Sequence, residues 1–387
     1  MHQPDERVLQ FDERRVAAFA DASGDHNPLH VDPSFARRTP YGECIVPGSL
    51  VAIALLGCLP PDVLRSARSL RASFTSPVLL HSPDKASARP MTSGHGAWEA
   101  RLEGRGRLLA RVAVADDTET FRVPAGAPSH VQAAATMRAR PARVADGDVQ
   151  IGTEVGSAYA PGPELAEVAR SWGAGDLDPR LLAALAWASY LVGMELPGLH
   201  SLFAGVKLSV DPVSDAPARV VAHWARVRDH DTRTGQLFLE GGIHDAEGSV
   251  ALGEIEAFVR EPVPGPTLAS FDSEPSKEQE GDVVVIGGSR GFGASLVLAL
   301  ASRGYTVHVV YSTSVDAAEE LKQAAGGKAD RLVFHRADAR DPEQLAPVVD
   351  AISAAGQLRG LALNAALPPL PMGVTAVSAV QLAAYVE

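Results

Sequence analysis

The sequence predicts an α+β chain of two like units, each an apolar helix wrapped by an antiparallel sheet, with the opening of an α/β domain behind them. Three observations predict it. Segments 48–59 and 178–194 are apolar on nearly every face, and such helices must be buried. Alternating segments of strand length follow each of them, separated by turn residues. Toward the C-terminal side a short valine-rich strand runs straight into a glycine turn and a third apolar helix.

A chain of 387 residues can hold two or three domains, each with its own core. Its 46% hydrophobic and 21% charged residues place it among soluble globular proteins. A formal charge of −12 argues against nucleic acid as the main partner, because phosphate binding needs a basic surface. No apolar run reaches the length of a membrane span, and the polar start MHQPDERV has no secretory core. No membrane partner and a cytoplasmic location are therefore expected. Cys44 and Cys58 are too few for a disulfide framework, which suits a reducing compartment. No metal is expected. Two Ala/Pro- or Pro/Ser/Glu-rich stretches divide the chain into residues 1–124, a linker 125–149, residues 150–262, a linker 263–281, and residues 282–387.

In the first part, residues 8–19 read as a short helix or a strand leading into one. Asp25, Asn27 and His30 then fall within six residues, in a loop stiffened by Pro28 and Pro33. An acid and an imidazole facing a helix N-terminus are the parts needed to add or remove water beside an activated carbonyl. The backbone N–H at the start of the buried helix can hold a developing enolate oxygen, which points to Gly48, with Gly42 as a second candidate. His26 is expected to face solvent, and Asp32 to serve a turn or cap. Segments 70–78, 96–102 and 107–115 read as strands, the last two as a hairpin. One buried helix wrapped by an antiparallel sheet is the hotdog architecture. Arg37, Arg38, Arg65, Arg68 and Arg71 read as scattered surface arginines before they read as a phosphate or carrier-protein site.

The stretch ASGDHNPLHVDPSFA resembles the hydratase 2 motif of the MaoC-like (R)-specific enoyl-CoA hydratases and related dehydratases, matching at Gly24, Asp25, Asn27, Pro28, His30 and Ala36. The resemblance implies that Asp25 and His30 jointly hold the water that adds to, or leaves from, the α,β double bond of an acyl thioester. It implies that Asn27 orients the loop, that the thioester is borne by CoA or an acyl carrier protein, and that this part needs no cofactor. The family reads His-Gly where this chain has Pro47–Gly48. Proline suits a first helical turn, so the backbone geometry should persist while any contact of that histidine with the acyl chain has no counterpart.

The second part repeats the pattern weakly. Residues 55–78 and the stretch after Glu195 both run helix, Gly, Leu-Pro, Ser-Leu, alternating strand, Pro-Val. Further strands are expected over 219–227, 235–244 and 250–260. This copy has no counterpart of residues 24–30. Asp176, Asp178 and His200 read as structural, Asp178 as a helix N-cap ahead of Pro179. The copy is expected to shape the acyl tunnel and to replace the partner subunit of a dimeric single hotdog; a homodimer of the whole chain remains open.

In the third part, strand 282–286, the turn GGSRGFG, a helix and a second strand over 305–311 make a βαβ unit with a phosphate-binding turn. It resembles the nucleotide-binding start of short-chain dehydrogenases and of the ketoreductases of polyketide and fatty-acid synthesis. Gly287, Gly291 and Gly293 match the Gly-x-x-x-Gly-x-Gly turn, with Ser289 and Arg290 inside it. Asp338 matches the acid that meets the adenine ring, and Asn364 opens a variant of Asn-Ala-Gly. No acid closes the second strand before Asp316, which with Arg290 favours NADP(H) over NAD. The family's reduction uses a Tyr and a Lys four residues apart; Tyr385 has no such Lys, so oxidoreductase activity is not expected and the chain reads as a piece of a longer protein.

The expected fold is an α+β double hotdog followed by a partial α/β Rossmann-type domain. The expected function is that of a hydro-lyase dehydrating (R)-3-hydroxyacyl thioesters to trans-2-enoyl thioesters, or the reverse, in fatty-acid or polyketide-type metabolism. The alternatives are a non-catalytic acyl-thioester-binding or docking unit, and an NADPH-dependent ketoreductase if a longer protein completes the last domain.

Overall fold

The computed structural model describes residues 6–37, 39–91, 96–116, 124, 136–144, 148–210, 220–246, 248–260, 280–312, 315–355 and 358–365. The chain forms two compact units, Met1–Pro262 and Val263–Glu387.

In the first unit β1 (Arg7–Leu9) leads into α1 (Glu13–Ser23), the short turns α2 (Pro28–Val31) and α3 (Pro33–Ala36), and the buried helix α4 (Gly48–Leu56). Then come α5 (Pro61–Ser66), β2 (Ser69–Phe74), β3 (Asp84–Pro90), β4 (Trp98–Gly104) and β5 (Arg107–Ala115). The second half repeats this with β6 (Glu154–Ala158), α6 (Leu165–Ser171), the buried helix α7 (Pro179–Tyr190), a π-helical turn Leu191–Glu195, and β7 (Ser201–Val210), β8 (Ala222–Asp231), β9 (Gln236–His244) and β10 (Ser249–Val259).

All ten strands form one sheet, in the order β1-β3-β4-β5-β2-β7-β10-β9-β8-β6. The order is the same read from either end. The strand that follows each buried helix meets its counterpart at the centre, β2 against β7, antiparallel from Ser69↔Ser209 to Ser73↔Gly205. Beneath this seam α4 and α7 lie together; Ser49 Oγ donates to the Leu185 carbonyl at 2.8 Å. Both helices are apolar all round and buried from their second residue on, because one face meets the sheet and another the neighbouring helix. A single apolar core runs through both halves. This is a double hotdog.

Several elements differ from the sequence reading. Strand β3 was not predicted, because its alanines, Ala86 and Ala88, carry the burial while Lys85 and Arg89 dominate the composition. Strand β6 and helix α6 were not predicted either. Helix α4 ends at Leu56, three residues early, and the last turn of the second buried helix is π-wound. Part of the first linker is pinned rather than free: Ala142 N–H donates to the Met194 carbonyl, Leu199 N–H donates to the Ala142 carbonyl, both at 2.8 Å, and Arg143 bridges Gly198. Residues 263–279 of the second linker lie outside the described residues, as does Tyr385.

The second unit contains β11 (Asp282–Ile286), α8 (Gly291–Ser302), β12 (Thr306–Tyr311), α9 (Val315–Ala324), β13 (Leu332–Arg336), α10 (Pro342–Ala355) and β14 (Leu358–Leu363). Its four strands are parallel, in the order β13-β12-β11-β14, with apolar clusters on either side of the sheet. A parallel sheet whose central strands β11 and β12 are buried, built from βαβ crossovers, is Rossmann-type. Among the described residues no helix is long and apolar enough to cross a membrane, and no group of His, Cys, Asp or Glu is placed to hold a metal ion.

Candidate active site

Local chemistry explains how the loop after α1 turns inward. Helix α1 is capped by Asp12 and ends at Gly24, whose φ of +77° is the left-handed conformation a glycine accepts without strain. The chain then drops Asp25 into the interior, where it is 1% exposed. Asn27 takes the N-cap of α2, its Oδ1 accepting from Leu29 N–H at 3.0 Å. Its Nδ2 donates to the carbonyls of Gly193 (2.9 Å) and Gly198 (3.1 Å), so it ties the loop to the turn that follows the second buried helix. His30 follows on α2, with Nδ1 2.8 Å from the Ile45 carbonyl. A carbonyl only accepts, so Nδ1 carries the hydrogen and Nε2 is left for chemistry.

Asp25, His30 and Gly48 line one cavity of about 190 Å³. Gly48 is the first residue of α4, where a backbone N–H has no intrahelical acceptor. A Cβ at Gly48 would stand 2.9 Å from the Phe74 ring, so only glycine leaves the N-terminus open beside that wall. Pro47 holds the N-cap with φ −55° and contributes no side-chain cap. Asn27 does not line the cavity; it supports the loop from behind. Gly42, the second oxyanion candidate, does not serve: its N–H already donates to the Thr39 carbonyl, and it lies off the cavity. His26 is exposed, and Asp32 caps α3 through Ser34 N–H and Phe35 N–H.

The sequence reading missed what the second half contributes. Ser189 of α7 donates to Asp25 Oδ2 at 2.6 Å and lines the cavity. Gly193, in the π-turn, abuts the same carboxylate; a Cβ there would lie 2.2 Å from Asp25 Oδ1. Behind this wall is a buried polar cluster. Glu195 Oε1 accepts from Ser157 Oγ (2.8 Å) and Tyr190 OH (3.2 Å), and Glu195 Oε2 is 3.1 Å from His223 Nε2. Burial works to raise the Glu195 carboxyl, but the His223 imidazole, Ser157 and Tyr190 outweigh it and hold it below its ordinary value. A lone Ser, a Gly and an acid inside an otherwise apolar run were the available signal.

The remaining polar candidates are structural in place. Asp178 caps α7, accepting from Arg180 N–H at 2.9 Å. Asp176 pairs with Arg65 at 2.9 Å, and Arg68 stands 3.8 Å from Asp178. None of Arg37, Arg65, Arg68 and Arg71 lines the cavity, and Arg38 lies outside the described residues.

In the second unit the turn after β11 has the shape a dinucleotide pyrophosphate requires. A Cβ at Gly293 would lie 2.2 Å from the Gly287 carbonyl oxygen, while Gly291, at φ +55°, borders open space at the start of α8. Asn364 Nδ2 donates to the Gly287 carbonyl at 3.3 Å, closing the crevice between β11 and β14 where the strand order reverses. Ser289 is buried in the turn and Arg290 is exposed at its end. Asp338 is held by Arg340, which donates from Nε (3.1 Å) and Nη2 (2.8 Å) and pulls the carboxyl down to about 2. The residues fit a dinucleotide.

Two parts of the chain match known families. Residues 2–107 match the family described as MaoC like domain, and residues 282–385 the family described as short chain dehydrogenase. An (R)-specific enoyl-CoA hydratase of Aeromonas caviae is 48% identical over 50 residues, 13% of this chain and 37% of that protein. The 3-hydroxyacyl-thioester dehydratase X of Mycobacterium tuberculosis is 28% identical over 102 residues, 26% of this chain and 34% of that protein. The chain thus spans about a third of the length of these curated relatives. Among solved structures, a MaoC-like dehydratase is 12% identical, with 67% of this chain and 97% of that one covered at a TM-score of 0.49. A double-hotdog protein of Mycobacterium tuberculosis is 13% identical, with 67% and 96% covered at a TM-score of 0.45.

Proposed function

We propose that this chain, whose residues 2–107 are a MaoC-like domain, is a hydro-lyase that interconverts (R)-3-hydroxyacyl and trans-2-enoyl thioesters. The observation that carries the reading is that one cavity touches the Asp25 carboxylate, the His30 ring and the first residue of a buried helix. A water between Asp25 and His30 Nε2 would lose a proton to one and be oriented by the other as it adds to the β-carbon. The charge that gathers on the thioester oxygen would meet the Gly48 N–H and the positive end of α4. In dehydration the same groups take the α-proton and protonate the leaving hydroxyl. Ser189 and Asn27 hold Asp25 in place for either direction, each giving it a hydrogen bond. The names of the two curated relatives support this substrate class.

The test is crotonyl-CoA hydration followed by loss of the enoyl absorbance, with Asp25→Asn beside the wild type. Equal rates would end the catalytic reading and leave a non-catalytic thioester-binding unit in its place.

A second reading concerns residues 282–387. Gly287, Ser289, Arg290, Gly291, Gly293, Asp338 and Asn364 would hold NADP(H), which supplies hydride when bound; the family match at 282–385 favours it. A ketoreductase makes the 3-hydroxy group that a dehydratase consumes, so the pairing favours dehydration of a carrier-bound chain in fatty-acid or polyketide-type synthesis. An enhanced NADPH fluorescence on adding the chain, lost in Gly293→Val, is the expected result.

A further inference from the structure

A charged side chain lies buried just outside the cavity, and the hydration chemistry has no direct use for it. Glu195 ends the π-turn with its side chain only 5% exposed, and neither it nor its three partners lines the cavity. Its carboxylate accepts from Ser157 of β6 (2.8 Å) and Tyr190 of α7 (3.2 Å), and stands 3.1 Å from His223 Nε2 of β8. An ionised carboxylate only accepts, so His223 Nε2 carries the hydrogen. The same nitrogen faces Ser157 Oγ at 3.0 Å, so the ring cannot relay a proton from serine to acid, and the trio is no nucleophilic centre. Tyr190 OH accepts in turn from Arg138 N–H at 2.7 Å, which leaves its own hydrogen for Glu195.

The cluster meets the acid loop from both sides. Gly193, two residues before Glu195, abuts the Asp25 carboxylate. Asn27 Nδ2 grips the carbonyls of Gly193 and Gly198, one on either side of Glu195. The Tyr190 ring lies under Gly24, where a Cβ would stand 3.3 Å from its Cδ2. Tyr159 packs on Tyr190 with ring centroids 5.1 Å apart and donates to the Ser23 carbonyl at 3.3 Å. Taking an ion out of water is costly, and a well-packed apolar side chain often stabilises a core as well or better. What the carboxylate supplies instead is direction: donors from one helix and two strands fix where the π-turn ends. Such single π-turns are rare and gather at functional sites. We infer that Glu195 is a positioning residue for Asp25: its carboxylate anchors the π-turn and so keeps the acid seated between Gly193 and Ser189. Its effect on rate rests on the hydro-lyase reading; its effect on the place of Asp25 does not.

Three variants of the whole chain loosen the anchor by different means. Glu195→Gln removes the charge at nearly constant shape, Ser157→Ala deletes one donor, and Tyr190→Phe deletes another while keeping the ring. In crotonyl-CoA hydration Glu195→Gln should lose about 10²-fold in kcat, the cost of moving a reacting group by about 1 Å, with KM unchanged. Each donor variant should lose about tenfold in kcat, which keeps the test open if Glu195→Gln does not fold. Because Glu195 acts through Asp25, the same Glu195→Gln change should cost roughly twofold or less in an Asp25→Asn background, where a general loosening of the fold would cost as much as before. Crystal structures of wild type and variants should show Asp25 Oδ2 withdrawn from Ser189 Oγ in the variants alone. Full kcat in every variant that folds, an equal loss in the Asp25→Asn background, a rise in KM with kcat kept, or an unmoved Asp25 would overturn the role. If the wild type does not hydrate crotonyl-CoA, the hydro-lyase reading falls and the crystal structures decide alone: a displaced Asp25 keeps Glu195 as its anchor, and an unmoved one removes it.

Discussion

The two halves of the ten-stranded sheet have the same strand order about a central seam and the same kind of buried helix, yet they are not equivalent in chemistry. Ahead of α4 the first half has a loop that buries Asp25 and presents His30. Ahead of α7 the second half has Asp178, whose carboxylate is spent on capping that helix. The second half nevertheless touches the site, because α7 lies against α4 and its last turns reach the Asp25 carboxylate through Ser189 and Gly193. The comparison teaches that such a site needs one acid–imidazole loop but two helices. One helix turns its N-terminus toward the cavity, and the other walls in the acid.

The largest effect should come from the half that carries the loop. Asp25→Asn keeps the shape of the side chain and its contact with Ser189 but removes the proposed base, and is expected to lower crotonyl-CoA hydration about 10³-fold. The fold should be unchanged by circular dichroism. A variant within tenfold of wild type would mean that the two halves do not differ in the way proposed.

A nearly equal effect is expected from the half without a loop. Gly193→Ala would set a methyl group 2.2 Å from Asp25 Oδ1, so the carboxylate must move or the π-turn must shift. A displacement of about 1 Å at a catalytic group costs on the order of 10²-fold in rate. The loss should fall on kcat, since Gly193 meets the acid rather than the acyl chain. If Gly193→Ala kept full activity, the second half would be a scaffold only.

These two residues also mark what could be read from the sequence. Asp25, Asn27 and His30 were legible because their spacing is local: a left-handed glycine, an Asn cap and a proline turn fix the loop within seven residues. The buried helices were legible because they are apolar on every face, and β11 because a buried parallel strand reads as a continuous run of valines. Ser189 and Gly193 were not, since their roles depend on packing between segments more than 160 residues apart in sequence. Strand β3 was missed for another reason. Its buried apolar positions are alanines, and alanine carries little strand propensity of its own.

A smaller effect sharpens the same contrast. Ser189→Ala removes the 2.6 Å hydrogen bond to Asp25 Oδ2 while Asn27 N–H still donates to Oδ1 at 3.2 Å. One lost charge-assisted hydrogen bond predicts a drop of about tenfold in kcat/KM. Normal rates in Ser189→Ala would assign Ser189 to packing.

The smallest effect on rate should come from Asp178, the acid that precedes the second buried helix as Asp25 precedes the first. Asp178→Ala is expected to leave hydration unchanged and to cost about 1 kcal/mol of stability, the usual worth of an N-cap. Burial works to raise the Asp178 carboxyl, but hydrogen bonds from Arg180, its charge and that of Arg68 outweigh it, so the folded-state pKa is lowered. A lowered folded pKa means that the carboxylate stabilises the fold at pH values above its unfolded pKa of about 3.9, and that this contribution fades as pH falls through the folded value. Thermal melts of wild type and Asp178→Ala should therefore differ by a few degrees, roughly 2–4 °C, at pH 7 and converge toward pH 3. Convergence with unaltered turnover would place Asp178 in the architecture alone, whereas a loss of turnover matching that of Asp25→Asn would mean that both halves carry a working acid.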